Sequence, residues 1–259
     1  MLHNRNGFSV AYEAFNQIMA FLTNINIRNI RIFCIFIALC LSLLPVAAKD
    51  PRYLPDGKPN AITLLAPPPL PDSPEQAADL QEVRTVSQSA PDTDRAAAQT
   101  ETKFTMFTFT PEIGPFFEPG KFPKTEALLN NVRGDAETIV DNAKDYWKRP
   151  RPYKVDPSLA NGKLEKSFSY PSGHSTESMV LALVMADLFP EHRDAIIGEA
   201  RNIGWHRVEI ARHYPTDIYA GRVLAQAIVR QMKKDADFQK DFAAAKAELT
   251  AAQVVDKGN

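Results

Sequence analysis

Three short clusters in this 259-residue chain carry side chains able to act on an anionic ester. The first is Lys144, six intervening residues, then Arg151 held between Pro150 and Pro152. The second is Pro171-Ser172-Gly173-His174. The third runs from Arg207 through His213 to Asp217. Taken singly each has an ordinary reading: a solvated basic face, a turn before a helix, a structural His–Asp hydrogen bond. Together they supply what a phosphoryl group needs, which is convergent cations and N–H donors around oxygens that share negative charge. Lys144, Arg151 and Arg207 are the expected cations. Gly173 lets the backbone approach an anion, Ser172 adds a hydroxyl, and a helix starting near Ser175 would aim free N–H groups at the same spot. His174 at its mouth is placed to protonate a leaving oxygen. Asp217 can fix the tautomer of His213 and leave the other ring nitrogen as a nucleophile. The expected course is attack by His213 on phosphorus, proton donation by His174, and release of the phosphohistidine by water that His174 activates.

The elements that must hold these residues read as helices. Leu128, Leu129, Val132, Ile139, Val140 and Ala143 recur at three-and-four spacing from Thr125 to Trp147, where Pro150 and Pro152 end the run. Further helices are expected over about Ser175–Leu188, 191–211, from Pro215 onward and over 236–252. Residues 75–104 read as helical and interrupted at Pro91. Residues 49–74 are proline-dense and read as an extended strap. Residues 105–123 read as a loop with inward phenylalanines; the alternation at 104–109 suits a strand but has no evident partner. The expectation is an all-α, single-domain helical bundle over 75–259 with a proline-rich N-terminal strap.

Composition narrows the class. The chain is 44% hydrophobic and 24% charged with a formal charge of −1, which excludes general disorder and a nucleic-acid binder driven by overall charge. Residues 1–48 differ: Arg28 and Arg31 precede an apolar run ending in Val46-Ala47-Ala48, which reads as a secretory signal, with Met19 a possible alternative start. The run from Ile32 to Ala47 is short against the roughly 20 residues of a membrane span and contains Pro45. Cys34 and Cys40 leave with that segment, so the mature chain is expected to have neither disulfide nor thiol chemistry.

The order and content of the three clusters resemble the type 2 phosphatidic acid phosphatase superfamily. The signal, the strap "LLAPPPLPDSP", the spelling "SYPSGH" and the C-terminal "FQKDFAAAKAEL" are most similar to the secreted class A non-specific acid phosphatases of bacteria. His206, Phe168 and Ser175 depart from that group's usual residues, and "HYPTD" is closer to the wider superfamily. The resemblance implies a periplasmic acid phosphatase acting on small organic phosphate monoesters, with phosphotransferase side activity, inhibition by phosphate or vanadate, a homo-oligomer, and no cofactor. No nucleic-acid polymer and no membrane association after signal cleavage are expected. Zinc on His213, Asp217, His174 and His206 is disfavoured because three nearby cations would repel it. The competing readings are a vanadate-dependent haloperoxidase, a lipid phosphatase of the membrane branch, and a non-catalytic phosphate-binding protein. His192 reads as an exposed helix-start residue. His206 reads either as a pocket-rim residue or as packing beside Trp205. Tyr146 and Trp147 read as rim and core packing.

Overall fold

Prolines and small polar residues set where the helices begin. The computed structural model describes residues 51–256, with side chains to residue 252; the expected secretory signal over 1–48 lies outside the described residues. Among the described residues there is no strand. The helices are α1 (Ala61–Leu64), α2 (Pro74–Ser89), α3 (Asp92–Thr100), α4 (Thr110–Ile113), α5 (Pro123–Trp147), α6 (Pro152–Val155), α7 (Gly173–Leu188), α8 (Arg193–Glu209), α9 (Pro215–Met232) and α10 (Ala236–Asp256). Proline stands at the first position of α2, α5, α6 and α9, where its missing N–H costs nothing. The side chains of Asn60 and Ser73 cap α1 and α2.

The core forms around α7, whose stretch from Met179 to Leu188 is apolar apart from Asp187 and is mostly buried accordingly. Helices α5, α8 and α9 pack directly on it, and α10 packs on α5. Two glycines allow the closest approach. A Cβ on Gly221 of α9 would lie 3.0 Å from the Ser172 carbonyl, Ser175 Cβ and Thr176 Oγ1, and one on Gly204 of α8 would lie 3.2 Å from Ser175. The start of α7 is therefore gripped between two neighbours with no room for another carbon.

Three sequence expectations change. α7 starts at Gly173, two residues ahead of the expected Ser175, because Ser172 is the N-cap and its Oγ accepts from the Ser175 N–H at 3.3 Å. His174 thus sits inside the first turn. Residues 104–109 form no strand: Thr105 and Thr108 make a reciprocal capping box that winds Met106–Phe109 into a 3₁₀ turn, which runs on into α4. The helix expected over 191–211 is shorter, with a separate 3₁₀ turn at Pro190–His192 ahead of α8. The phenylalanines of this region do pack inward, with Phe104, Phe109, Phe117 and Phe122 in the main core.

The proline-rich residues before α2 lie along the bundle and are tied to it at both ends. Asp135 of α5 accepts from the backbone N–H groups of Arg52, Tyr53 and Leu54 at 2.8, 2.6 and 3.1 Å, and the Tyr170 hydroxyl donates to the Ala66 carbonyl at 2.6 Å. Among the described residues no helix is long and apolar enough to cross a membrane.

Candidate active site

Asp217, at the third position of α9, organises one wall of the site. Its Oδ2 lies 3.2 Å from His213 Nδ1 and accepts from the Ser169 hydroxyl at 2.5 Å and the Tyr214 N–H at 2.9 Å. Its Oδ1 accepts from Arg149 at 2.6 Å. Its backbone carbonyl accepts from the Ser172 N–H at 3.1 Å, which joins the second and third clusters directly. Burial works against this carboxylate's charge, but Arg149 and the His213 ring outweigh burial and hold the group well below the usual carboxylate range. The ionised Asp217 accepts a hydrogen bond from His213 Nδ1–H, so Nε2 carries the lone pair. Burial first, then the Arg151 guanidinium, push the His213 imidazole well below its ordinary value. A neutral, oriented ring results.

Arg151 stands against that free nitrogen. Extended backbone between two prolines fixes its reach, and its NH1 lies 3.2 Å from His213 Nε2 while donating to the Arg212 carbonyl at 3.0 Å. Its other nitrogens donate to the carbonyl and hydroxyl of Ser167. Lys144, in the last turn of α5, donates to the Phe168 carbonyl at 2.7 Å. Burial, then repulsion from Arg151, push its ammonium down to about 7. Both cations are therefore pinned to the loop that leads into Ser172.

The opposite wall comes from α7 and α8. Burial, then Arg207, push the His174 imidazole down to about 3. The ring keeps partial exposure, but its Nε2 is buried and has no hydrogen-bond partner. Phe104 packs 5.5 Å from this ring, and Arg133 lies 4.5 Å above the Phe104 face while paired with Glu177 at 2.9 Å. Arg207 is 1% exposed, yet only its NH2 is engaged, by Glu101 at 3.2 Å and the Ala98 carbonyl; its Nε is a second buried orphan. The field of Arg151 depresses both imidazoles, so this cation lies within electrostatic reach of each.

The eight residues singled out in the sequence thus fall in one electropositive region, with Lys144, Arg151, Ser172, Arg207, His213 and Asp217 buried and Gly173 and His174 half-buried. Gly173 and His174 contribute N–H groups of the first turn of α7, which have no intrahelical acceptor. A cavity of 720 Å³ lined by Arg95, Lys163, Glu165, Arg207 and Arg212 opens beside it.

Sequence reasoning missed four contributors. Arg149 is 4% exposed, bridges Asp217 and Asp79 at 2.6 Å each, and stacks 3.8 Å from the Tyr214 ring centroid. Ser169 sits between His213 and Asp217, Glu101 holds Arg207, and Glu177 faces Gly173, whose hypothetical Cβ would be 3.2 Å from its Oε1. The double Arg-Pro repeat at 149–152 was the available signal, since two arginines held by alternating prolines are poor candidates for a solvated face. His206 is bound through Nδ1 to Glu101 at 2.8 and 2.9 Å.

Residues 128–238 match the family model described as the PAP2 superfamily. The chain is 29% identical over 203 residues to the acid phosphatase of Zymomonas mobilis subsp. mobilis, an alignment covering 75% of this chain and 77% of that protein. It is 28% identical over 224 residues to the non-specific acid phosphatase of Salmonella typhi, covering 82% and 87%. The crystal structure of a bacterial vanadium-dependent iodoperoxidase shares the fold at 17% identity and a TM-score of 0.54, over 66% of this chain and 52% of that one.

Proposed function

We propose, from the PAP2 superfamily domain at residues 128–238 and the likeness to bacterial acid phosphatases, that the chain hydrolyses phosphate monoesters by way of a phosphohistidine on His213. The observation that carries this reading is the pair of buried orphans, His174 Nε2 and Arg207 Nε, together with a neutral His213 whose Nε2 lone pair faces Arg151 NH1 at 3.2 Å. Buried polar atoms without partners are costly, and a phosphoryl group supplies acceptor oxygens for both.

The ester phosphate sits among Lys144, Arg151, Arg207 and the first N–H groups of α7. The lone pair on His213 Nε2 attacks phosphorus, the P–N bond forms, and the P–O bond to the alcohol breaks. His174 gives its proton to the departing oxygen. The bound phosphate restores negative charge next to Arg207 and so favours the protonated imidazole that this step needs. Water then attacks phosphorus, its proton goes to His174, the P–N bond breaks, and orthophosphate leaves. The proton stays on His213 Nδ1 throughout, and the ionised Asp217 accepts its hydrogen bond and offsets the charge that His213 acquires. An alcohol in place of water would give phosphotransfer. The leaving group occupies the 720 Å³ cavity next to Arg207.

This scheme assigns no step to a metal, so activity is expected to survive chelation. Vanadate and inorganic phosphate are expected to compete with substrate, since both offer the same oxyanion to the same donors. Export to the periplasm and a homo-oligomeric state complete the proposal; N-terminal sequencing of the secreted protein and light scattering test them. The central test is turnover of a chromogenic aryl phosphate at acid pH, together with trapping of an acid-labile phosphoenzyme. His213→Ala should abolish both signals, and a variant that turns over like the parent would refute the assigned nucleophile.

A further inference from the structure

We infer that Asp94, His206 and Glu209 form a binding site for a divalent transition-metal ion of the zinc class, apart from the phosphate pocket. Asp94 lies in the first turn of α3, while His206 and Glu209 lie one turn apart near the end of α8. Packing of α3 on α8 brings one ligand atom from each within 4.8 Å of the others.

Two independent features mark this group as more than a cluster of charges. The first is the state of the imidazole. Glu101 binds His206 Nδ1 through both carboxylate oxygens, at 2.8 and 2.9 Å, which places the proton on Nδ1 and leaves Nε2 as the donor. A carboxylate behind the ring is the usual support of a metal-ligating histidine, because it fixes the tautomer and raises the basicity of the ligating nitrogen. The second is Glu209. This side chain is 6% exposed, and its Oε2 is buried without a hydrogen-bond partner. No protein donor relieves that oxygen; a cation would.

The charge balance suits a cation. Asp94, Glu101 and Glu209 are set against two nearby guanidinium groups, Arg95 and Arg207, both of which act on this cluster. One nitrogen and two carboxylate oxygens with an open position match zinc-type coordination. Bonds of about 2.1 Å in a tetrahedron separate ligand atoms by roughly 3.4 Å, so the set must draw in slightly. Asp94, half-buried at the solvent side, has the freedom to do so. A bound ion would staple α3 to α8 and stiffen Glu101, the same carboxylate that pairs with Arg207 at 3.2 Å.

The test uses the whole protein, stripped with a chelator and titrated with zinc alone by calorimetry, then with cobalt for its visible spectrum. One saturable zinc site, a rise in melting temperature with zinc, and cobalt bands of tetrahedral intensity are expected. Asp94→Asn and Glu209→Gln should each weaken zinc at least about tenfold while aryl phosphatase activity in chelator stays at the parent's level. Absence of saturable binding overturns the assignment, as does parent-like zinc affinity in the surface variant Asp94→Asn, which would mean that the ion binds elsewhere.

Discussion

At Lys144, burial and the Arg151 charge leave an ammonium that keeps its proton only below about pH 7. The cation is present in acid and lost as pH rises through that value, and with it goes the phosphate contact proposed for Lys144. The expected pH profile of kcat/KM therefore falls above about pH 7, and Lys144→Arg, which stays charged, should move that limb upward. A profile unchanged in the variant would assign the limb to another group. Arg149 carries a different expectation. Replacing it with Met strands Asp79 and Asp217 as buried anions without their cation, a loss of about 3–5 kcal/mol, read as a lower melting temperature together with reduced kcat. The sequence separated these two arginines poorly. Both stand in one Lys-Arg-Pro-Arg-Pro run, and only the fold decides that one guanidinium meets His213 and the other the back of Asp217.

Among the elements, the junction of α7, α8 and α9 is the sensitive point. Gly221→Ala would push a methyl group to 3.0 Å from the Ser172 carbonyl, which belongs to backbone and cannot swing aside. Overpacking of this kind costs about 1–3 kcal/mol. It should also displace the Ser172–Asp217 contact, so kcat is expected to drop even where the variant stays folded, checked by turnover at a temperature well below its melt. Helix existence was legible here from period and proline placement, as with α5 between Pro123 and Trp147. The exact start of α7 was not. Ser172, Ser175 and Thr176 are all plausible caps, and the choice rests on Ile218, Gly221 and Gly204 from other helices closing around the turn. The 104–109 segment failed for a related reason: alternating residues suit a strand, but with no partner the local Thr105–Thr108 capping prevails.

Across the molecule, the all-α reading and the gathering of three distant clusters were both accessible, because cations, imidazoles and a helix start share one purpose in binding an oxyanion. What stayed hidden were pairings between segments with no common motif. Asp135 reaches back to residues 52–54, Glu248 of α10 accepts from the N–H groups of Lys124 and Thr125 at the start of α5, and Glu101 ties His206 to Arg207. Nothing in period or composition announces which acid meets which amide. The placement of α7 has one more consequence. The helix whose first turn carries Gly173 and His174 is also the post against which α5, α8 and α9 lean. Melting of α7 takes the site with it, so heat inactivation and the main loss of helical circular dichroism should share a single midpoint. An enzyme that goes dead while its helices persist would mean that its working parts ride on a looser piece than this architecture contains.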